Sequence, residues 1–332
     1  MKKKICLIYC GGTIGMVRKS DGLLAPADDA AQLISLAPGI EKLAEFDFKF
    51  VADIDSTNMH PGIWKTLAQT IRENYDNCDG FVIAHGTDTM AYTASALSFA
   101  LRNLNKPVII TGAQKSIFDI ASDAPNNLIN AAKVALLDVP EVCVVFGSKI
   151  LRGNRTQKIS EKKLNAFWSP VVLPLGCVAL EPEIVVDRVW RWRSKELEFK
   201  PDFDREVVFY QLFPGLDGKY IEAAIDRGCK GVILNAYGAG NVPNGEASLL
   251  PVIKKAVEHN VPVIVSTQCV EGSTRMIYEV GHCALAAGAI PAFDMTSEAA
   301  ATKLMWILAQ TNDLACIKEM MRTNLCGEIT TM

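Results

Sequence analysis

Short runs of consecutive apolar residues recur along the chain, each followed by a segment whose apolar positions repeat every three to four residues. In the first half the runs are Ile5–Cys10, Phe48–Ala52, Gly80–Ala84, Val108–Thr111 and Val142–Phe146. The periodic segments between them are Ile63–Asn74, Ala91–Leu104 and Ala124–Leu137. Unbroken runs rich in Val, Ile and Phe are strands buried on both faces. Alternating with helices, they predict an α/β fold around a mostly parallel sheet. From Asp187 to Glu206 the pattern lapses into Trp190-Arg191-Trp192-Arg193 and a mixed-charge stretch with Pro201, which predicts a connector. Beyond it the alternation resumes, with strands at Val207–Leu212, Gly231–Asn235 and Val261–Ser266. Helices are expected at Lys219–Arg227, Leu249–His259, Met276–Ala287 and Ser297–Ala309. The expected division is an N-terminal α/β domain over residues 1–187, a linker over 188–206 and a smaller C-terminal α/β domain over 207–332.

Composition sharpens this picture. The chain has 332 residues, enough for two domains, with 49% apolar and 21% charged residues, which excludes a disordered or fibrous chain. A net charge of −3 gives no pull toward nucleic acid or an anionic membrane. The ten cysteines include Cys6, Cys10, Cys143, Cys177 and Cys229 in or beside apolar runs, without a C-x-x-C pair or zinc-type spacing. Reduced thiols in a cytoplasmic protein are expected. The start, Met1-Lys2-Lys3-Lys4 before a six-residue apolar run ending in two glycines, reads as a first strand rather than a secretory signal. No apolar stretch is long enough to span a bilayer.

In open α/β sheets ligands bind beyond the carboxyl ends of the strands, so chemistry is sought in the segments that follow them. These read Gly-Gly-Thr-Ile-Gly (11–15), Asp-Ile-Asp-Ser-Thr-Asn (53–58), His-Gly-Thr-Asp-Thr (85–89), Gly-Ala-Gln (112–114) and Leu-Arg-Gly-Asn-Arg-Thr-Gln-Lys (151–158). Hydroxyls, carboxylates and one lysine converge on a single edge. The first segment spells neither G-x-G-x-x-G nor a P-loop. Asp53 and Asp55 partly meet the demand for an acidic residue after a second strand, so a dinucleotide loop stays open here. In the third segment Asp88 or Thr89 could simply cap a helix, although two hydroxyls flanking a carboxylate exceed what a cap needs. Lys158 in a polar loop is by default a solvated lysine. Buried beside Thr87 and Asp88, it could instead be the base that a hydroxyl nucleophile requires. His60, His259 and His282 sit in unrelated contexts, and His85 is read as structural.

At this point the residues match a known pattern. Tyr9-Cys10-Gly11-Gly12-Thr13-Ile14-Gly15-Met16 and Ala84-His85-Gly86-Thr87-Asp88-Thr89-Met90-Ala91-Tyr92-Thr93 resemble the two signature segments of bacterial-type L-asparaginases, nearest the cytoplasmic type I branch. The likeness continues through residues 106–114, 152–158, 237–241, 266–269 and 294–299, nearly the whole chain in order. What it implies is a flavodoxin-like N-terminal sheet with a smaller C-terminal α/β domain. It also implies attack by Thr13 Oγ on the side-chain carboxamide of L-asparagine, release of ammonia, and hydrolysis of an acyl-enzyme to L-aspartate. Thr87, Asp88 and Lys158 would form the second catalytic group. Gly12, Asp55, Ser56, Gly86, Ala113 and Asn241 would contact substrate, with no metal and no cofactor. Members complete each site with a neighbouring subunit, so a homodimer or homotetramer follows, with Asn241 supplied by the neighbour.

Two positions depart from the pattern. Many members carry a tyrosine in a Gly-Tyr-x-Pro loop after the first motif; here the stretch reads Asp21-Gly22-Leu23-Leu24-Ala25-Pro26. Asparagine-activated type I enzymes place an arginine where this chain has Asn235, which predicts little or no such activation. A glutaminase-asparaginase of mixed specificity is the alternative enzyme. The asparaginase-like component of an archaeal tRNA amidotransferase usually carries an additional N-terminal domain, whereas Gly11 here is already at the motif. A non-catalytic amino-acid sensor would be favoured only if Thr13, Thr87, Asp88 or Lys158 were replaced, and all four are present.

Overall fold

The structure is a computed structural model that describes residues 2–18, 24–26, 34–35, 37–116, 119–192 and 196–330. Residues 21–23 of the tyrosine-lacking stretch at 21–26 lie outside the described residues. The chain forms two compact units, residues 1–201 and 202–332.

The first unit is built on an eight-stranded sheet. Its strands are β1 (Lys4–Cys10), β2 (Glu45–Ala52), β3 (Gly80–Ala84), β4 (Val108–Thr111), β5 (Val142–Phe146), β6 (Lys149–Arg152), β7 (Gly176–Val178) and β8 (Pro182–Ile184). They lie in the order β8-β7-β6-β5-β4-β3-β1-β2. The five strands β2-β1-β3-β4-β5 are parallel. Theirs is the flavodoxin-type order, in which the chain reverses direction between β1 and β3 and leaves a crevice there. β3, β4 and β5 are buried at every residue, and β1 at every residue after Lys4. That burial is why their sequences read as unbroken apolar runs. β2 is the parallel edge, and its Phe50 is exposed.

Among the described residues, three helices flank the sheet: α1 (Pro61–Glu73), α2 (Met90–Ala100) and α3 (Ala124–Val134). α1 starts from His60, whose ring Nδ1 accepts the Gly62 N–H, with proline in its first turn. It buries Trp64, Leu67, Ala68 and Ile71, the i, i+3, i+4, i+7 stripe of a helix lying on a sheet. α2 is buried on every side except at Tyr92, as its Ala- and Ser-rich sequence allows. It ends four residues short of its sequence expectation. Leu101–Arg102 leave the helix to pair antiparallel with Glu198–Phe199, an Arg102–Glu198 ion pair crosses the ladder, and Asn103 turns with φ 60°.

After β5 the chain departs from a simple α/β alternation, and the periodicity gave no sign of it. β6 runs antiparallel to β5, and β7 and β8 add an antiparallel edge. Gly153, just past β6, lies against the start of β5; a Cβ there would stand 2.9 Å from the Val142 carbonyl and 3.1 Å from that of Ala94. The chain then runs back beside α2 into a short hairpin, Gln157–Lys158 paired with Phe167–Trp168. Lys158 therefore does not sit at the tip of the fifth strand, as a strand-then-loop reading expects. A return pass delivers it.

The second unit has a four-stranded parallel sheet in sequence order: β9 (Val207–Gln211), β10 (Gly231–Ala236), β11 (Val263–Thr267) and β12 (Ile290–Pro291). Its helices are α4 (Lys219–Asp226), α5 (Leu250–Glu258), α6 (Glu279–Ala286), α7 (Ser297–Leu308) and α8 (Leu314–Arg322). The last was not anticipated. Among the described residues, no helix is long and apolar enough to cross a membrane.

Candidate active site

The reversal point of the first sheet is where the sequence motifs meet. At the end of β1 the register with β2 slips between Tyr9 and Cys10, a bulge that re-aims the strand end. Gly12 follows with φ +84°, a left-handed conformation open to glycine. Its N–H donates to Ile54 O (3.2 Å), and a Cβ at Gly12 would stand 2.5 Å from the Gly86 backbone. Glycine at position 12 lets the turn after β1 lie directly on the Gly86 backbone of the turn after β3, while a Cβ at Gly86 would meet the Ser56 side chain 2.7 Å away. Thr13 opens the 3₁₀ turn Thr13–Gly15, half-buried, with Gly15 N donating to Gly12 O (3.3 Å). Beneath that turn lies Tyr9. Its ring occupies the space a Cβ at Gly15 would need, and its hydroxyl donates to Asp53 (2.8 Å). Burial, then the hydrogen bond and charge of Asp53, raise the Tyr9 hydroxyl far above the ordinary phenol range, so its proton stays on it.

The turn after β3 is held from two sides. Ser56 Oγ accepts the Asp88 N–H (3.1 Å) and Ser56 O accepts from Thr89 Oγ1 (2.7 Å), while Gly86 packs on the Ser56 side chain. Neither Asp88 nor Thr89 caps α2 through its side chain: the N-cap position is Thr89, with no side-chain capping bond. The Asp88 carboxylate instead accepts from Lys158 Nζ at 2.6 Å, and the same ammonium donates to Thr87 Oγ1 at 2.8 Å. The Lys158 side chain is 17% exposed and that of Asp88 54%, so the pair stands at the rim of the crevice. Asp55 is exposed, and its carboxylate is spent on the N–H and hydroxyl of Thr57. Ala113 is buried at the end of β4.

His85 supports this turn from below. A carbonyl can only accept, so the 2.6 Å contact to Gly86 O fixes the proton on Nδ1, and Nε2 accepts from Thr93 Oγ1 (2.9 Å). Thr93 in turn accepts from Trp64 Nε1 (3.0 Å). Burial lowers His85 from 6.5 to about 4, partly offset by the Gly86 bond, so the ring is neutral. The unfolded chain therefore takes up this proton first on acidification. Stability is expected to be full above pH 6.5 and to fall by about 3 kcal/mol as pH drops toward about 4. Urea unfolding of wild type and His85→Asn across that window checks this, the variant losing that part of the slope.

In the second unit, Asn241 closes a tight loop after β10, exchanging backbone hydrogen bonds with Tyr237 (3.2 and 2.8 Å). Among the described residues its buried Oδ1 has no partner. Asn235 is 7% exposed; its Oδ1 accepts from Ser266 Oγ (3.0 Å) and its carbonyl from Gln268 Nε2 (2.9 Å).

Of the expected residues, Gly12, Ser56, Gly86, Thr87, Asp88 and Lys158 are linked by direct contacts, and Thr13 follows Gly12 in the same turn. Motif reading missed the supports: Trp64, Thr93, Asp123 and Asn127. Asp123 precedes a helix that opens Ala124-Pro125 and so reads as a cap, yet its carboxylate turns back to the Gln114 and Lys115 N–H groups.

Comparison with known proteins matches residues 4–189 to the family model "Asparaginase, N-terminal" and residues 206–321 to "Glutaminase/Asparaginase C-terminal domain". The chain belongs to the asparaginase family. L-asparaginase 1 of Escherichia coli strain K12 is 38% identical over 99% of this chain and 98% of its own. The asparaginase family also includes a Pyrococcus abyssi relative named as one component of glutamyl-tRNA(Gln) amidotransferase, 36% identical over 98% of this chain and 77% of its own. The solved structure of the thermostable L-asparaginase from Thermococcus kodakarensis superposes with a TM-score of 0.92, at 38% identity over 99% of this chain and all of that one. These relatives place the chain among amidohydrolases.

Proposed function

We propose that this protein hydrolyses L-asparagine to L-aspartate and ammonia through an acyl-enzyme on Thr13. The observation that carries the proposal is the Lys158 ammonium bridging Thr87 Oγ1 and Asp88 beside the Gly12–Gly86 contact that seats the Thr13 turn. In this reading Thr13 Oγ attacks the carboxamide carbon. The Thr13 hydroxyl proton passes to the amide nitrogen, the C–N bond breaks and ammonia leaves, and water then cleaves the ester. Thr87 takes the proton that water loses while passing its own to Lys158, whose ammonium passes one on to Asp88, and a proton returns to Thr13 Oγ as the ester breaks. Gly12, Asp55, Ser56, Gly86 and Ala113 line the substrate, and the Asp88 carboxylate receives its α-ammonium.

Asn241 completes the site from a second copy, in a cytoplasmic homodimer or homotetramer. Its unpartnered Oδ1 is an acceptor that a substrate ammonium would satisfy. No disulfide joins the cysteines among the described residues, which accords with a reducing compartment. Asn235, tied to Ser266, offers no cation to an effector carboxylate.

The test is ammonia release from L-asparagine and from L-glutamine. Hyperbolic turnover of L-asparagine is expected, at a higher kcat/KM than L-glutamine. Glutamine differs by one methylene, worth roughly 10- to 200-fold in a fitted pocket. Comparable rates would instead favour a glutaminase-asparaginase, and no turnover of either amide would favour a sensor.

A further inference from the structure

The tip of the hairpin that carries Lys158 has little to hold it. Two residue pairs and the Ile159 N–H bond to Ala166 O make up its ladder, and a two-stranded ribbon of that size is not stable by itself. At its tip, Ile159 is 49% and Leu164 45% exposed, and Glu161, Lys162 and Lys163 face solvent. Apolar burial therefore anchors only the base of the hairpin, where Ala166 and Phe167 are buried and Phe167 packs on Phe146 (ring centroids 4.9 Å), and does not fix its tip. Yet the Lys158 ammonium must be delivered to two oxygens at 2.8 and 2.6 Å.

Gln114 reaches across to this tip. Its Nε2 donates to Ser160 O (3.3 Å) and Lys163 O (3.2 Å), so both amide hydrogens are used on the two ends of one turn. The base of the clamp is rigid. The Gln114 N–H donates to the Asp123 carboxylate (3.0 and 3.2 Å), which also accepts from Lys115 N (3.0 Å) and Asn127 Nδ2 (3.0 Å). Asn127 is 1% exposed; it also donates to Gly112 O (2.9 Å) and accepts from Gly147 N (3.0 Å). The loop after β4 is thereby fixed to α3 and to the β5–β6 turn. Gln114 carries that rigidity across to the Lys158 hairpin.

We propose that Gln114 is a positioning residue for Lys158: it clamps the hairpin at residues 160–163 to the rigid loop after β4 and so sets where the ammonium meets Thr87 and Asp88. The inference rests on Lys158 acting in the proposed reaction. Gln114→Met keeps length and volume and removes both donors. It is expected to lower kcat for L-asparagine about five- to tenfold, with KM changed by less than about twofold. The pH dependence of kcat shifts as well, because Lys158 no longer holds its two contacts. Amide exchange at Ile159 N–H, which bonds Ala166 O across the hairpin (2.8 Å), is expected to quicken at unchanged thermal midpoint.

A Gln114→Met enzyme with wild-type kcat, pH profile and Ile159 protection overturns the proposal. A purely packing role would leave kcat and the pH profile untouched in the Met variant. Lys158→Met is the control. If it alone is silent, the catalytic reading of Lys158 fails and the clamp is judged on Ile159 exchange; if it is inactive while Gln114→Met is unaffected, the clamp fails and the catalytic reading stands.

Discussion

Thr13→Ala is expected to lower ammonia release from L-asparagine by about four orders of magnitude or more, with folding intact. The turn that holds Thr13 is built from backbone: Gly12 N to Ile54 O, Gly15 N to Gly12 O, and the Tyr9 ring beneath Gly15. Removing a half-buried hydroxyl leaves all of that in place. Thr87→Ala and Lys158→Met are expected to fall on the order of a thousandfold or more. The three groups act as one unit, so Thr13→Ala/Thr87→Ala loses little beyond the worse single variant. Thr87→Ser keeps the oxygen that accepts from Lys158 and retains most of the rate. Steady-state kinetics with purified variants checks this. Near wild-type rates in Thr13→Ala or Thr87→Ala would remove the two-threonine mechanism.

The largest stability effect is expected in the second unit. Lys303 on α7 and Glu328 near the C-terminus form an ion pair at 2.6 Å with both side chains wholly buried. Each is otherwise satisfied: Lys303 donates to Thr323 O (2.6 Å) and Met321 O (3.1 Å), and Glu328 accepts from Leu325 N and Cys326 N. Burial alone would raise the Glu328 carboxyl. The Lys303 charge and hydrogen bond, with the two N–H donors, outweigh burial and hold it below its usual 4.5. Lys303→Met strands a carboxylate in the core and is expected to cost about 3–5 kcal/mol. Lys303→Met/Glu328→Leu removes both charges and is expected to recover most of that loss. Because the folded carboxyl is depressed, the stability from the pair is full above about pH 4.5 and is lost as pH falls through the lower folded value. Denaturant midpoints at neutral pH decide it: a single variant as stable as wild type, or a double variant no better than the single, contradicts this account.

The sequence by itself determined the α/β class, the strands β1 to β5 with most of their helices, and the motif segments that meet at the end of the sheet. The reason is local: fully buried parallel strands must be unbroken apolar runs, and a turn crossing another backbone must be glycine, as at Gly12. Only the tertiary structure decided three further matters. Helix α2 stops at Ala100 because a strand from residues 198–199 claims Leu101 and Arg102, a partner about a hundred residues away that no local periodicity records. Asp88 and Thr89, which locally read as caps, are drawn to Lys158 and Ser56, because those partners bind them where α2 leaves them free. Lys158, by default a solvated lysine, becomes a rim ammonium only because the chain reverses through β6, returns past Ala94 and is met by Gln114. Spacing along a chain fixes what neighbours in sequence can do; a site made by a returning strand exists only once long-range packing has closed.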